Sequence, residues 1–215
     1  MRVAIADDSL LFREGLARLL EGSRFEVVAQ AADAAELNAA VEANRPDVAI
    51  VDIRMPPTHT DEGLVAAIEL RAQHPHLGVL VLSHHVETHH AMRLLADNPT
   101  RVGYLLKDRI TALTDFTDAV TQVGTGGAVI DPDVVAALLG RRRQQDRIAS
   151  LTPRERDVLA LMAQGRTNHA ISQRLHLGAK TIESHVASIF TKLDLLPAPD
   201  DHRRVLAVLT YLRAT

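Results

Sequence analysis

Three carboxylates, a hydroxyl and an amine stand directly after apolar runs in the first half of the chain. Val3-Ala4-Ile5-Ala6 leads into Asp7-Asp8, Val48-Ala49-Ile50-Val51 into Asp52, Val79-Leu80-Val81-Leu82 into Ser83, and Val102 to Leu106 into Lys107. Asp52 alone reads equally as a turn or capping residue and as a nucleophile or metal ligand. Its neighbours decide the matter if the runs are parallel strands, because all these side chains then share one carboxyl edge, where open α/β sheets bind ligands. Uncompensated, three carboxylates at one edge raise one another's pKa. A hard divalent cation, Mg2+ above all, relieves that repulsion through carboxylate, water and phosphate oxygens. Lys107 adds a flexible ammonium and Ser83 a hydroxyl donor. The set suits an aspartyl phosphate: Asp52 as nucleophile, Mg2+ at Asp7, Asp8 and Asp52, and Lys107 and Ser83 on the phosphoryl oxygens.

The elements that must position these residues follow from hydropathy. Val48 to Val51, between Pro46-Asp47 and Pro56-Pro57, is apolar without alternation, as a strand covered on both faces should be. Strands are also expected at Val3–Ala6, Glu26–Ala31, Val79–Leu82 and Val102–Leu106. Helices are expected at Leu10–Leu20, Ala35–Ala43, Leu64–Ala72, Thr88–Leu95 and Leu113–Val123. Five βα units in succession predict a parallel, doubly wound sheet with right-handed crossovers. Asp7-Asp8-Ser9 follows the first strand where a dinucleotide-binding fold would carry Gly-x-Gly-x-x-Gly, so a Rossmann site is not expected.

These residues carry a resemblance. Asp7-Asp8, Asp52 with Met55-Pro56, Ser83 and Tyr104-Leu105-Leu106-Lys107-Asp108 resemble the receiver domain of two-component response regulators over about the first 125 residues. The resemblance implies a flavodoxin-like five-stranded sheet of order 2-1-3-4-5 and a phosphoryl group taken by Asp52 from a sensor histidine kinase. It also implies Mg2+ at Asp7, Asp8, Asp52 and the backbone carbonyl of Arg54, and a switch pair of Ser83 and Tyr104. A phosphate adds about −1.5 to −2 charge, drawing the Ser83 hydroxyl inward so that Tyr104 repacks behind it. Two segments depart from the family pattern. Pro57 to Gly63 is longer than usual, either a specificity element or a tolerated insertion. Ser83 to His90 is rich in imidazole; His85 and His89 would share a helix face, as a metal or pH-sensing pair or as solvated surface residues.

Past Val123 the pattern changes. Gly124-Thr125-Gly126-Gly127 is a break, and Asp131 with Pro132 opens a short helix that Gly140 is expected to end. Arg141 to Arg147 then reads as an exposed linker, with phosphate contact as the second reading. Charge is uneven: residues 1–150 hold 15 Lys and Arg against 21 Asp and Glu, whereas residues 151–215 hold 9 against 6. A basic tail favours a polyanion partner.

That tail is helical by pattern. Thr152-Pro153-Arg154-Glu155 is a capping box with Pro at the first helical position, Gly165 stops its helix, and Asn168 is expected to cap the next. After His176-Leu177-Gly178-Ala179 a helix from Lys180 to Leu193 places Ile182, Val186, Ile189 and Leu193 inward. Two short helices about a Gly-containing turn make a helix-turn-helix, whose second helix enters the DNA major groove. Leu151 to Glu155, Gly165, Asn168, Ile171 and Lys180 to Val186 through Lys192-Leu193 resemble the LuxR-type helix-turn-helix, so the whole chain resembles a NarL/FixJ-type response regulator. The resemblance implies double-stranded DNA contacts from Lys180, from Thr181, His185 and Lys192 on the backbone, and from Glu183, Ser184, Ala187 and Ser188 toward the bases. Glu183 either accepts from cytosine N4 or is an ordinary solvated residue. Val205, Leu206, Leu209 and Leu212 form a stripe that closes the small domain's core or joins two copies.

The expected organisation is a receiver over 1–125, a linker with a short helix over 126–147, and a helix-turn-helix domain over 148–215. With no Cys, no stretch of about 18 apolar residues and no signal-peptide pattern, a soluble cytoplasmic protein with no membrane partner is expected. The expected function is a transcriptional regulator, not an enzyme, that dimerises and binds DNA when phosphorylated. The other readings are a receiver that is never phosphorylated and serves only in dimerisation, and a phosphohydrolase using an aspartyl phosphate. Such a hydrolase commonly needs an acid/base two residues past the nucleophile, where Arg54 stands.

Overall fold

The computed structural model describes residues 1–96, 98–110 and 112–214, with the side chains of residues 213 and 214 left out. The chain divides into two compact units, Met1–Leu138 and Leu139–Thr215. In the first, β1 (Arg2–Ala6), β2 (Glu26–Ala31), β3 (Val48–Asp52), β4 (Gly78–Ser83) and β5 (Val102–Leu106) alternate with α1 (Leu10–Glu21), α2 (Ala34–Asn44), α3 (Glu62–Gln73), α4 (Thr88–Leu95) and α5 (Leu113–Gly124). The ten expected elements all form, with no end shifted by more than two residues.

With a further strand, β6 (Ala128–Ile130), the strands pair in parallel in the order β2-β1-β3-β4-β5-β6. The expected five-stranded core of order 2-1-3-4-5 is present, with a sixth strand added at its β5 edge. β6 has three residues and lies along β5 with Val102 opposite Ala128. So short a run after two glycines carries no periodicity of its own; the open edge of β5 recruits it. All five residues of β3 and all six of β4 are buried, as strands covered on both faces must be. One core layer includes Val51, Leu64, Val81 and Tyr104; the opposite layer includes Ile5, Leu20, Leu80, Phe116 and Val120.

One correction concerns Gly140. The helix α6 runs from Pro132 through it to Ala149, taking in the charged run expected to be an exposed linker. Gly140 is not among the left-handed glycines, which are Gly126 and Gly165. A helical Gly costs about 1 kcal/mol, which the strong helix formers around it offset. Asp131 does open the helix, its carboxylate accepting from the Asp133 N–H at 2.9 Å.

In the second unit, α7 (Pro153–Ala163), α8 (Asn168–Leu175), α9 (Ala179–Lys192) and α10 (Arg203–Ala214) surround Val158, Leu159, Ile171, Ile182, Ile189 and Ala207. The capping box on Thr152 and Glu155 is present, and Gly165 takes the left-handed conformation just past α7. Thr167, not Asn168, caps α8: its hydroxyl accepts from the Ala170 N–H, and Asn168 instead receives Arg204 at 2.8 Å. Of the two readings of the α10 stripe, core closure falls to other residues. Ala207, Val208 and Tyr211 pack inward, while Val205 and Leu209 are 52% and 41% exposed. None of the described helices is long and apolar enough to cross a membrane.

Candidate functional site

The parallel register carries β1, β3 and β5 to the same edge, and the acidic and basic side chains there converge. Asp7, Asp52 and Lys107 are buried. Lys107 Nζ lies 2.7 Å from Asp7 Oδ2 and 3.0 Å from Asp52 Oδ1, and 4.6 Å above the Phe12 ring. Asp7 is held by its neighbours: its carboxylate caps the Ser9 N–H at 2.9 Å, and Arg13 donates to its carbonyl. Asp8 is the more exposed member, and His59 Nδ1 stands 3.1 Å from its Oδ2. One oxygen from each of Asp7, Asp8 and Asp52 fits within a span of 4.8 Å. Among the described residues this is the only His, Cys, Asp or Glu group that could enclose an ion.

Burial pushes the Asp52 carboxyl up from its ordinary value; Lys107 opposes the rise by charge and hydrogen bond, and the charges of Asp7 and Asp8 add to it. An ion placed among these oxygens would remove the repulsive part, so the donor set fits a hard divalent cation. Gly63, at the start of α3, lies so close that a Cβ would stand 1.7 Å from the Asp52 carbonyl oxygen. Only Gly lets that helix meet the strand end.

The expected switch pair also lies here. Ser83 Oγ donates to the His85 carbonyl at 2.8 Å and accepts from the His85 N–H at 3.2 Å. Tyr104 is fully buried, and its hydroxyl donates to the same carbonyl at 3.4 Å. Thus Tyr104 already occupies the inner position while Ser83 is engaged with His85. Asp52, Arg54, Ser83, His85, Glu87 and Asp108 line a cavity of about 290 Å³. The Arg54 side chain turns to Glu87 at 2.8 Å, and Glu87 also meets His90 Nδ1 at 2.9 Å. Among the described residues the imidazole-rich segment therefore gathers no three-ligand ion group; His90, which sequence spacing does not single out, lies against Glu87, and burial lowers its pKa from the ordinary value.

In the second unit, α8, a turn through left-handed His176, and α9 form the expected helix-turn-helix. Lys180, Thr181, Glu183, Ser184 and Ala187 are exposed along α9 and His185 is half-buried. Ser188 and Lys192 depart from expectation. Ser188 Oγ donates to Glu155 Oε1 at 2.6 Å and Lys192 Nζ to Glu155 Oε2 at 2.7 Å, so their polar ends tie α9 to α7 instead of facing outward. Burial pulls the Glu155 carboxyl up, but the bonds from Lys192, Ser188 and Thr152 outweigh it and carry its pKa to about 2. The capping box shows Glu155 in the sequence; its second task depends on a tertiary contact 33 residues away.

Known proteins bear on both units. Residues 3–117 match the model of the response regulator receiver domain, and residues 149–196 that of the luxR family of bacterial regulatory proteins. The DNA-binding transcriptional activator DevR/DosR of Mycobacterium tuberculosis is 32% identical, the alignment covering 91% of this chain and 89% of that protein. The oxygen regulatory protein NreC of Staphylococcus epidermidis is 31% identical over 93% of this chain and 94% of its own. Among solved structures, the RcsB response regulator of Salmonella typhimurium gives a TM-score of 0.65 at 26% identity, covering 99% of this chain and 98% of that one. A complex of RcsB with DNA gives 0.56 at 26% identity, with 100% and 98% covered. With a receiver fold, an acid edge closed by a lysine, and a helix-turn-helix behind them, the chain belongs to the NarL/FixJ-type two-component response regulators, DNA-binding regulators of transcription and not enzymes.

Proposed function

We propose that Asp52 accepts a phosphoryl group from a sensor histidine kinase in the cytoplasm, and that the modification promotes dimerisation and DNA binding. The observation that carries this reading is Lys107 Nζ bridging Asp7 and Asp52 at the strand edge. An Asp52 oxygen attacks phosphorus, the bond from phosphorus to the donor imidazole breaks, and the imidazole leaves with the electron pair. Mg2+, when bound by Asp7, Asp8, Asp52 and the Arg54 carbonyl, supplies charge neutralisation for the transferring oxygens. Lys107 keeps Asp52 ionised and then pairs with the new phosphate. Ser83 leaves the His85 carbonyl to donate to a phosphoryl oxygen, and Tyr104 remains to hold that carbonyl.

On the DNA side, Lys180, Thr181 and His185 approach the phosphate backbone, and Glu183, Ser184 and Ala187 face the base edges. Ser188 and Lys192 hold the reading helix in place through Glu155. Val205 and Leu209 supply an apolar stripe for a second copy, matching paired half-sites. DNA footprinting with and without a small phosphodonor tests the proposal. Phosphodonor should strengthen protection by the parent and leave Asp52→Asn unchanged; equal stimulation of both would refute the assignment.

A further inference from the structure

We propose that His59 is a positioning residue for Asp8 and sets the affinity of the acid edge for its divalent cation. The inference rests on reading Asp7, Asp8 and Asp52 as a cation site. Those three carboxylates are unequally held: Lys107 contacts Asp7 and Asp52, whereas the polar side chain on Asp8 is His59, 3.1 Å away. The Asp8 side chain is 34% exposed and, without that neighbour, free to swing into water. Fixing a mobile ligand costs conformational entropy at the moment of binding, and a partner on its outer oxygen removes part of that cost beforehand.

The loop that carries His59 is constructed for a fixed position. His59 itself is left-handed, at φ 56°, and its N–H donates to the Met55 carbonyl at 3.1 Å. Glu62 accepts from the backbone N–H groups of Thr58 and Thr60, both at 2.9 Å, and from the Thr58 hydroxyl. The Thr58 hydroxyl bond above all, opposed by desolvation and aided by the backbone N–H groups of the loop, carries the Glu62 pKa to about 2, so the clamp stays ionised at neutral pH. Asp61 is pinned to Arg93 at 2.6 Å. Both flanks of His59 are thus tied down, and the residues that lengthen this loop are the ones that bring an imidazole to Asp8. The contact does not need a charged ring, since a neutral imidazole can also offer an N–H to a carboxylate at this distance.

Isothermal titration calorimetry of Mg2+ into the full chain tests this. His59→Gly removes the ring while accepting the left-handed backbone, and His59→Asn returns an N–H donor at the Nδ1 position in a residue that also accepts it. His59→Gly should bind Mg2+ about tenfold more weakly, the lower end of what loss of an outer partner does, and His59→Asn should recover most of the loss. Unchanged or tighter binding by His59→Gly, or a His59→Asn variant as weak as His59→Gly, overturns the role of His59 and leaves the cation site standing. Absence of Mg2+ binding by the parent overturns the site and this inference together.

Discussion

Replacing Lys107 by Met keeps an apolar stem against Phe12 and deletes the cation between two buried carboxylates. The Lys107 side chain is 5% exposed, and those of Asp7 and Asp52 are 2% and 7% exposed. Removing one partner of a buried ion pair costs about 3–5 kcal/mol, and here one ammonium serves two anions, so the upper half of that range applies in the absence of a divalent ion. For a unit of 138 residues this corresponds to a fall in melting temperature of roughly 10–15 °C. The pH dependence has a definite sign. Burial already raises the Asp52 pKa above 3.8, and Lys107 is the main opposing influence. Without it the folded-state pKa climbs further from the unfolded value. The deficit is therefore full above the raised pKa and shrinks as pH falls through it toward 3.8. Circular dichroism melts of the full chain at neutral and mildly acidic pH, each with chelator and with Mg2+, measure this. The variant should lose least in acid and regain stability with Mg2+ more than the parent does. A variant as stable as the parent at neutral pH in chelator, or a deficit that grows in acid, would refute the electrostatic account of this edge.

Two further outcomes are expected. Glu155→Gln should loosen the anchor of α9: with its pKa lowered to about 2 from 4.5, Glu155 contributes stability that is present above pH 4.5 and lost as pH falls toward 2. Hydrogen exchange of α7 and α9 amides at neutral pH should then rise in the variant, and equal protection would remove Glu155 from that role. Leu209→Glu, at an exposed position of α10, should leave the melting temperature unchanged and weaken self-association of phosphorylated protein in sedimentation velocity; an unaltered dimer would place the contact elsewhere.

What the sequence made legible followed from how local its signals were. Apolar runs without alternation marked the buried strands, and the position of Asp7, Asp52 and Lys107 just beyond them was enough to bring these residues to one edge. Capping chemistry was equally legible at Thr152 and Asp131. Features created by distant partners were hidden. β6 exists because β5 offers an open edge, α6 passes Gly140 because its neighbours favour helix, and Lys192 turns inward because Glu155 waits on another helix. Asn168 and Thr167 both suit a cap, and only the backbone entering α8 selects Thr167. The long loop before α3 showed its length in sequence but not that His59 meets Asp8.

The carbonyl oxygen of His85 receives two buried hydroxyls, those of Ser83 and Tyr104. Such an oxygen has two lone pairs, so both are satisfied at rest. Calling Ser83 away leaves Tyr104 as the remaining hydroxyl on that oxygen, and its long 3.4 Å bond has room to tighten. A signal arriving as negative charge would then pass inward as a vacancy on a single peptide group, read by a phenol that never touches the phosphate.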